Sequence, residues 1–345
     1  MDASTAAAET GGDTEDALAR ARDTISCIER RAKASVVGRD DVIELTLIAL
    51  LADGHVLLED YPGSGKTTLA RCLGESLSGG TDAGAGAMTI APFRRIQFTP
   101  DLLPSDVTGT SVFELDTNRF SFRPGPIFAH IVLADEINRT SPKVQAAMLE
   151  AMAEKQVTVD NDTHALDALF FVIATQNPLD VAGTYPLPTP QLDRFLFKIT
   201  MRHIARDAEL DVLRQYPTAS LDMGAELPRI TRDQLLSART AVRAGVHIAE
   251  PIREALVDLA RSLREDERVL QGASTRSRVL MLPALQARAL LRGRDFVAPE
   301  DVEALAVPVF GHRIECVPGV GSEAEVIAAA LAPQIERLAK LSLQR

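Results

Sequence analysis

The stretch from His55 to Leu69, HVLLEDYPGSGKTTL, decides the fold. Val56, Leu57 and Leu58 form a short apolar run that reads as a buried strand. The run breaks at Asp60-Tyr61-Pro62-Gly63-Ser64-Gly65, where Pro62 and the two glycines stop both strand and helix. Lys66-Thr67-Thr68-Leu69-Ala70 then resumes with residues that suit a helix. Strand, glycine-rich loop and helix together are the setting of a phosphate-binding loop. Gly63 and Gly65 leave backbone N–H groups free to close around phosphate oxygens, and the helix that follows turns its positive dipole end toward them. Lys66 adds a point charge for the terminal phosphates, and the Thr67 hydroxyl a ligand for Mg²⁺. Asp60 stands where the pattern usually has its first glycine. Asp tolerates positive φ better than most residues, so the turn survives, provided the carboxylate points away from the phosphates.

About 70 residues after Lys66 comes Ile131-Val132-Leu133-Ala134-Asp135-Glu136. A continuous apolar run ending in two acids is the pattern of a central parallel strand that delivers carboxylates to its C-terminal edge. Asp135 is expected to hold Mg²⁺ through its water shell, and Glu136 to orient and polarise an attacking water. Ser141 and Pro142 open the next helix as N-cap and first residue, with Val144, Ala147, Met148, Ala151 and Met152 as its apolar stripe. Phe170–Thr175 is a third buried strand, leading into Gln176-Asn177-Pro178. Asn177 there is either a turn residue or, at the edge of a core strand, an amide for the attacking water or the γ-phosphate. Arg95–Phe98 and Phe195–Ile199 complete the strand candidates. Two hairpins are expected, one around Asp116-Thr117-Asn118 and one around Asp160-Asn161-Asp162.

The chain of 345 residues is long enough for two packed cores, and its 46% hydrophobic and 25% charged content is that of a globular protein. No apolar run approaches the ~18–20 residues of a membrane span. The first base after the N-terminal acids is Arg20, opposite to a secretory signal, so the start reads as a disordered acidic tail on a cytoplasmic protein. Three scattered cysteines are too few for a disulfide framework or a metal site, and the six histidines show no ligand spacing. A net charge of −11 argues against a general nucleic-acid binder.

Helices are expected at 14–34, with Leu18, Ile25 and Ile28 on one side, and through Val42, Leu45, Ile48 and Ala49. Beyond about His203 the texture is helical throughout, with Ile252, Leu256, Leu259 and Leu263 at helical spacing and Pro299-Glu300-Asp301 opening a late helix. The expected division is a tail over 1–15, an α/β core over 16–202 and a helical domain over 203–345.

With these stretches in order, the chain resembles the MoxR family of AAA+ ATPases. The resemblance rests on VVGRDDVI (Val36–Ile43), LLEDYPGSGKTTLA (Leu57–Ala70), FTPDLLPSDVTGT (Phe98–Thr110), FRPGPIF (Phe122–Phe128), LADEINRTSPKVQAAMLEAM (Leu133–Met152), ATQNPLDVAGTYPLPTPQLDRFLFKI (Ala174–Ile199) and GASTR (Gly272–Arg276). Relatives commonly carry Asp at the position of Asp60, and many have Pro where Thr275 stands. The resemblance implies a P-loop NTPase domain with five parallel strands, an insert hairpin in its second helix, a further hairpin before the fourth strand, and a small helical lid. It implies ATP/ADP and Mg²⁺ as ligands, with Val37 and Gly38 beside the adenine. By the same carry-over, Asn177 resembles a γ-phosphate sensor, Arg194 in LDRF an arginine finger, and Arg276 a lid arginine reaching the γ-phosphate. The implied activity is ATP hydrolysis by a ring, taken as a hexamer, that remodels client protein complexes, including insertion of metal cofactors, together with a partner bearing a VWA domain. Two other readings stand beside it: a nucleotide-gated scaffold with little turnover, and a nucleic-acid-stimulated motor. The complete set Lys66, Asp135, Glu136 and Asn177 disfavours the first. Acids at both hairpin tips, which would repel phosphates, disfavour the second.

Overall fold

The computed structural model describes residues 3–59, 64–78, 90–177, 183–215, 226–319 and 321–342, with side chains from residue 12 onward. Five strands make one parallel sheet: β1 (Val56–Glu59), β2 (Ala91–Gln97), β3 (Ala129–Asp135), β4 (Phe171–Gln176) and β5 (Phe197–Thr200), in the order β5-β1-β4-β3-β2. The three central strands, β1, β4 and β3, carry continuous apolar runs because both faces are covered, whereas the edge strand β2 exposes Arg94 and Arg95. Leu58, Leu133, Ile173 and Ile199 pack with α1 (Ala3–Ser35), α2 (Asp40–Leu51) and α3 (Lys66–Glu75) on one face. Leu57, Val132, Ala134 and Val172 pack with α4 (Pro142–Glu154) on the other.

The register decides where the chemistry sits. Glu59 pairs with both Gln176 and Thr200, and Gln97 pairs with Asp135. Each strand therefore gives up its last, polar residue at the same C-terminal edge.

Both expected hairpins form, from Gly109–Glu114 with Arg119–Pro124 and from Gln156–Val159 with Asp162–Ala165. In the second, Asp160 (φ 51°) and Asn161 (φ 71°) both adopt the left-handed conformation, as a two-residue primed turn demands. The hairpins touch through Phe122, which stacks on His164 with ring centroids 3.7 Å apart.

Past the sheet come α5 (Arg206–Gln215), α6 (Arg232–Gly245), α7 (Glu250–Glu265), α8 (Thr275–Leu291), α9 (Pro299–Phe310) and α10 (Glu323–Ser342). The gap between β5 and α5 contains the boundary expected near residue 203, yet the apolar core does not divide there. Leu235, Leu256, Leu285, Leu305 and Phe310 belong to the same buried cluster as the α1–α3 face of the sheet. Ile230-Thr231 also pairs in parallel with Leu77-Ser78, just after α3, a short ladder that joins the two regions, and Val269–Gln271 pairs with Glu315-Cys316 within the helical region.

Three local expectations need correction. Helix α1 extends back to Ala3, through the acidic segment read as a disordered tail, which is rich in alanine, the best helix former. Ser141 occupies the N-cap position with extended backbone, but its hydroxyl makes no capping bond. The fifth strand starts at Phe197, because Asp193, Arg194 and Phe195 are still in turns after the short helix Thr189–Leu192.

Candidate functional site

The candidate phosphate-binding loop follows β1 in sequence. Asp60, Tyr61, Pro62 and Gly63, expected above in the phosphate-binding loop, lie outside the described residues. Ser64 and Gly65 lead into α3 with Gly65 left-handed at φ 91° as its N-cap, a conformation only glycine adopts freely. No side chain caps this end of α3. An α-helix leaves its first N–H groups unsatisfied, so a helix end with Lys66, Thr67 and Thr68, all half-buried, in its first turn offers an anion both donors and charge.

Across the same edge stand Asp135 and Glu136. Asp135, only 8% exposed, is the last residue of β3. One carboxylate oxygen accepts from Thr175 Oγ1 at 2.7 Å. The other accepts from Arg95 Nη2 at 2.6 Å and Nε at 3.1 Å. The chain leaves β3 through a left-handed Glu136 (φ 58°, ψ 48°), a conformation that costs a side-chain-bearing residue of order 1–3 kcal/mol and persists only where its surroundings impose it. Here the Glu136 N–H donates to Thr175 Oγ1 at 2.8 Å, and Gln97 Nε2 donates to Glu136 Oε2 at 2.7 Å. Arg139 Nε adds an ion pair at 3.4 Å. Thr175 thus holds both acids, one through its proton and one through its lone pair.

Next along the edge, Gln176 Nε2 donates to Glu59 Oε1 at 2.8 Å, and Lys198 Nζ pairs with the same carboxylate at 3.0 Å. This network ties the residue preceding the phosphate loop to β4 and β5. Asn177 follows Gln176 directly, at the end of β4.

The turn at Val37-Gly38 joins α1 to α2, with Gly38 left-handed at φ 72°. A Cβ on Gly38 would come within 2.7 Å of Ala208 and 3.3 Å of Ile204, so this turn lies against the start of α5.

The two arginines occupy different settings. Arg194 is half-buried and donates from Nη1 to the Leu149 carbonyl in α4 at 2.7 Å. Arg276 is exposed in the first turn of α8, and Ser274, the N-cap of that helix, bonds Asp193 at 3.3 Å. Asp135, Glu136, Asn177 and the α3 N-terminus share the sheet edge, whereas Arg194 and Arg276 stand on the peptide after the proline-rich connection and on the helical region.

Sequence reasoning missed Arg95, Gln97, Thr175 and Glu59. The signal was available for the first two: Arg95 and Gln97 alternate with buried Ile96, so both fall on one face of β2 beside Asp135.

The donor set suits a nucleotide with a divalent cation. An uncapped helix end with Lys66, a hydroxyl at Thr67, and two carboxylates at one sheet edge are the oxygen and cationic partners that Mg²⁺ and phosphates require.

Comparison with known proteins agrees with this geometry. Residues 55–197 match the model of an ATPase family associated with various cellular activities (AAA), and residues 261–332 match an AAA lid domain. The chain is 45% identical over 314 residues to YeaC, an uncharacterized protein of Bacillus subtilis, covering 90% of this chain and 92% of that protein. It is 37% identical to the chaperone MoxR1 of Mycobacterium tuberculosis, over 82% of this chain and 73% of the relative, and 31% identical to the MoxR protein of Methylorubrum extorquens, over 86% and 89%. A crystal structure of a candidate ATPase from Cytophaga hutchinsonii superposes with a TM-score of 0.82 at 33% identity, covering 93% of this chain and 97% of that one.

Proposed function

The chain belongs to the MoxR family of AAA+ ATPases, and from that premise we propose that it hydrolyses ATP with Mg²⁺ to remodel client protein complexes, as an oligomeric ring whose sites are completed between subunits. The single observation that carries the hydrolytic reading is the pinned pair at the end of β3. Asp135 and Glu136 are both held by Thr175, and Glu136 is aimed by Gln97 despite a backbone conformation that side chains avoid. A scaffold that merely binds nucleotide has no need of a carboxylate fixed at such cost.

In this reading Lys66 and the α3 N–H groups bind the phosphates, and Thr67 and Asp135 hold the cation. The cation, when bound, neutralises charge on the phosphate oxygens. Glu136 orients a water and takes its proton. Asn177 fixes that water with its amide, while Gln176 holds Glu59, the residue before the loop. Arg194 serves a neighbouring subunit as a finger, and Arg276 senses the γ-phosphate from the helical region. Val37 and Gly38 line the base. Phosphoryl transfer asks for this kind of positioning and positive charge more than for covalent chemistry.

The name of the mycobacterial relative supports the chaperone reading. A VWA-domain partner and a metal-cofactor client are proposed on family resemblance. No helix among the described residues is long and apolar enough to cross a membrane, which fits the proposed cytoplasmic setting.

Phosphate release with ATP and Mg²⁺ tests the proposal. The expected result is turnover that EDTA abolishes, that Lys66→Ala eliminates together with nucleotide binding, and that single-stranded DNA leaves unchanged. Binding without turnover would favour the scaffold. Several-fold stimulation by DNA at physiological salt would favour the motor.

A further inference from the structure

Arg313 is the most completely used guanidinium of the helical region, and no part of the nucleotide reading above employs it. It is 3% exposed, three residues past the end of α9. Its Nε donates to Asp193 Oδ1 at 2.6 Å. Its Nη2 donates to the Phe195 carbonyl at 2.6 Å and the Asp193 carbonyl at 3.2 Å. Its Nη1 donates to the Leu196 carbonyl at 3.1 Å and to the Val309 carbonyl of its own helix. The neighbouring His312, also buried, donates from Nε2 to the Phe195 carbonyl at 3.1 Å. One side chain therefore clamps the peptide on both sides of Arg194 to the end of α9.

Asp193 has a second attachment. Its other carboxylate oxygen accepts from Ser274, the cap of the helix whose first turn carries Arg276. The Arg276 charge is near enough to act on the Arg313 guanidinium. So two separate segments of the helical region, the start of α8 and the end of α9, meet on the one acid that precedes Arg194. Arg194 itself is parked in this structure on the Leu149 carbonyl of its own chain.

We propose that Asp193 and Arg313 are positioning residues that join the helical region to Arg194, so that a shift of α8 and α9 on nucleotide binding is passed to the guanidinium offered to the next subunit. The inference rests on the reading of Arg194 as acting in the neighbouring site. Its physical basis is the stiffness of the joint. A charge-assisted bond from the buried Arg313 to Asp193, with four further carbonyl acceptors on the same guanidinium, ties the end of α9 firmly to residues 193–196. Movement of the helical region then carries that peptide along. A lone buried anchor would need only the ion pair, whereas here the acceptors bracket residue 194 itself.

The test is subunit mixing with the full chain. Asp193→Asn keeps the shape of the side chain and the backbone acceptors but removes the charge. Where loss of the acid prevents folding, the milder Arg313→Lys keeps the charge and part of the carbonyl bonding but loses the fixed fork that joins Asp193 to residues 195 and 196. Either variant is expected to bind ATP within about twofold of the parent and to turn over at least tenfold more slowly. Mixed with Glu136→Gln, which lacks the base yet keeps its own Arg194 and joint, it should recover activity, because intact Glu136 sites then face intact joints. Mixed with Arg194→Ala it should recover none, since neither partner supplies a working guanidinium. Failure with Glu136→Gln, while Arg194→Ala and Glu136→Gln do recover together, would overturn the proposal and make the pair a fold anchor of its own subunit. If Arg194→Ala and Glu136→Gln stay inactive together although subunits exchange, the neighbouring-site reading falls and this inference with it.

Discussion

Thr175 bonds the side chain of Asp135 and the backbone N–H of Glu136 with the same hydroxyl, at 2.7 and 2.8 Å. A β-branched residue has few χ1 options, so the hydroxyl stays where the two acids need it. Thr175→Val keeps the shape and loses both bonds. The left-handed Glu136 then lacks its tether, and its carboxylate is free to wander. We expect ATP binding to change little and turnover to fall by about 10–100-fold, the size of a misplaced catalytic group. Thr175→Ser should restore most of it. Parallel measurements of nucleotide affinity and phosphate release on the two variants check this, and equal rates for Val and Thr would remove Thr175 from the account.

Gly38 is a second point where one methyl group decides. A Cβ would meet Ala208 Cβ at 2.7 Å in a backbone conformation that already disfavours side chains. Gly38→Ala should cost about 1–3 kcal/mol of stability. If this turn lines the base, ATP affinity should drop far more than affinity for tripolyphosphate, which lacks a base. Titration of both ligands distinguishes the cases, because a purely structural effect would weaken them alike.

The buried histidines make stability depend on pH. His55 Nε2 donates to the Met152 carbonyl at 3.2 Å, and its Nδ1 accepts from the Val172 N–H at 3.1 Å. Burial holds its pKa down at about 4. The unfolded chain, with a histidine pKa near 6.5, binds the proton more readily. Stability is therefore full above about pH 6.5 and is lost as pH falls from there toward 4. His312, depressed by burial and by Arg313, acts in the same direction. Thermal unfolding midpoints across this window should fall steadily for the parent. The fall should be shallower for His55→Gln, which has no proton to take up.

Much of the fold was open to reading in the sequence because parallel strands covered on both faces are written as unbroken apolar runs. Ile131–Ala134 and Phe171–Ala174 are examples, and the primed turn at Asp160-Asn161 announces itself by residues that accept positive φ. The acids of the site were legible for a related reason, since polar residues that end such a run fall on one edge. Thr175 was not, because a threonine that ends an apolar strand looks like any β-former until its neighbour across the sheet is known. Arg313 was hidden more deeply. Its acid partner lies 120 residues earlier, and its other acceptors are backbone carbonyls, which leave no mark on side-chain patterning. The six histidines were set aside for lack of ligand spacing, and His55 and His312 prove to be buried staples between elements distant in sequence.

The central claim is that Glu136 is the base of an ATP-hydrolysing site, and a paired measurement on the parent and Glu136→Gln tests it most directly. Binding is followed with a fluorescent ATP analogue and turnover by phosphate release, in the same buffer with Mg²⁺. A glutamine at 136 can still accept the bond from Gln97 but cannot take a proton from water. Binding close to that of the parent is expected, with turnover lower by about 10²–10⁴-fold, the usual contribution of a general base. Hydrolysis by Glu136→Gln at the parental rate would contradict that claim.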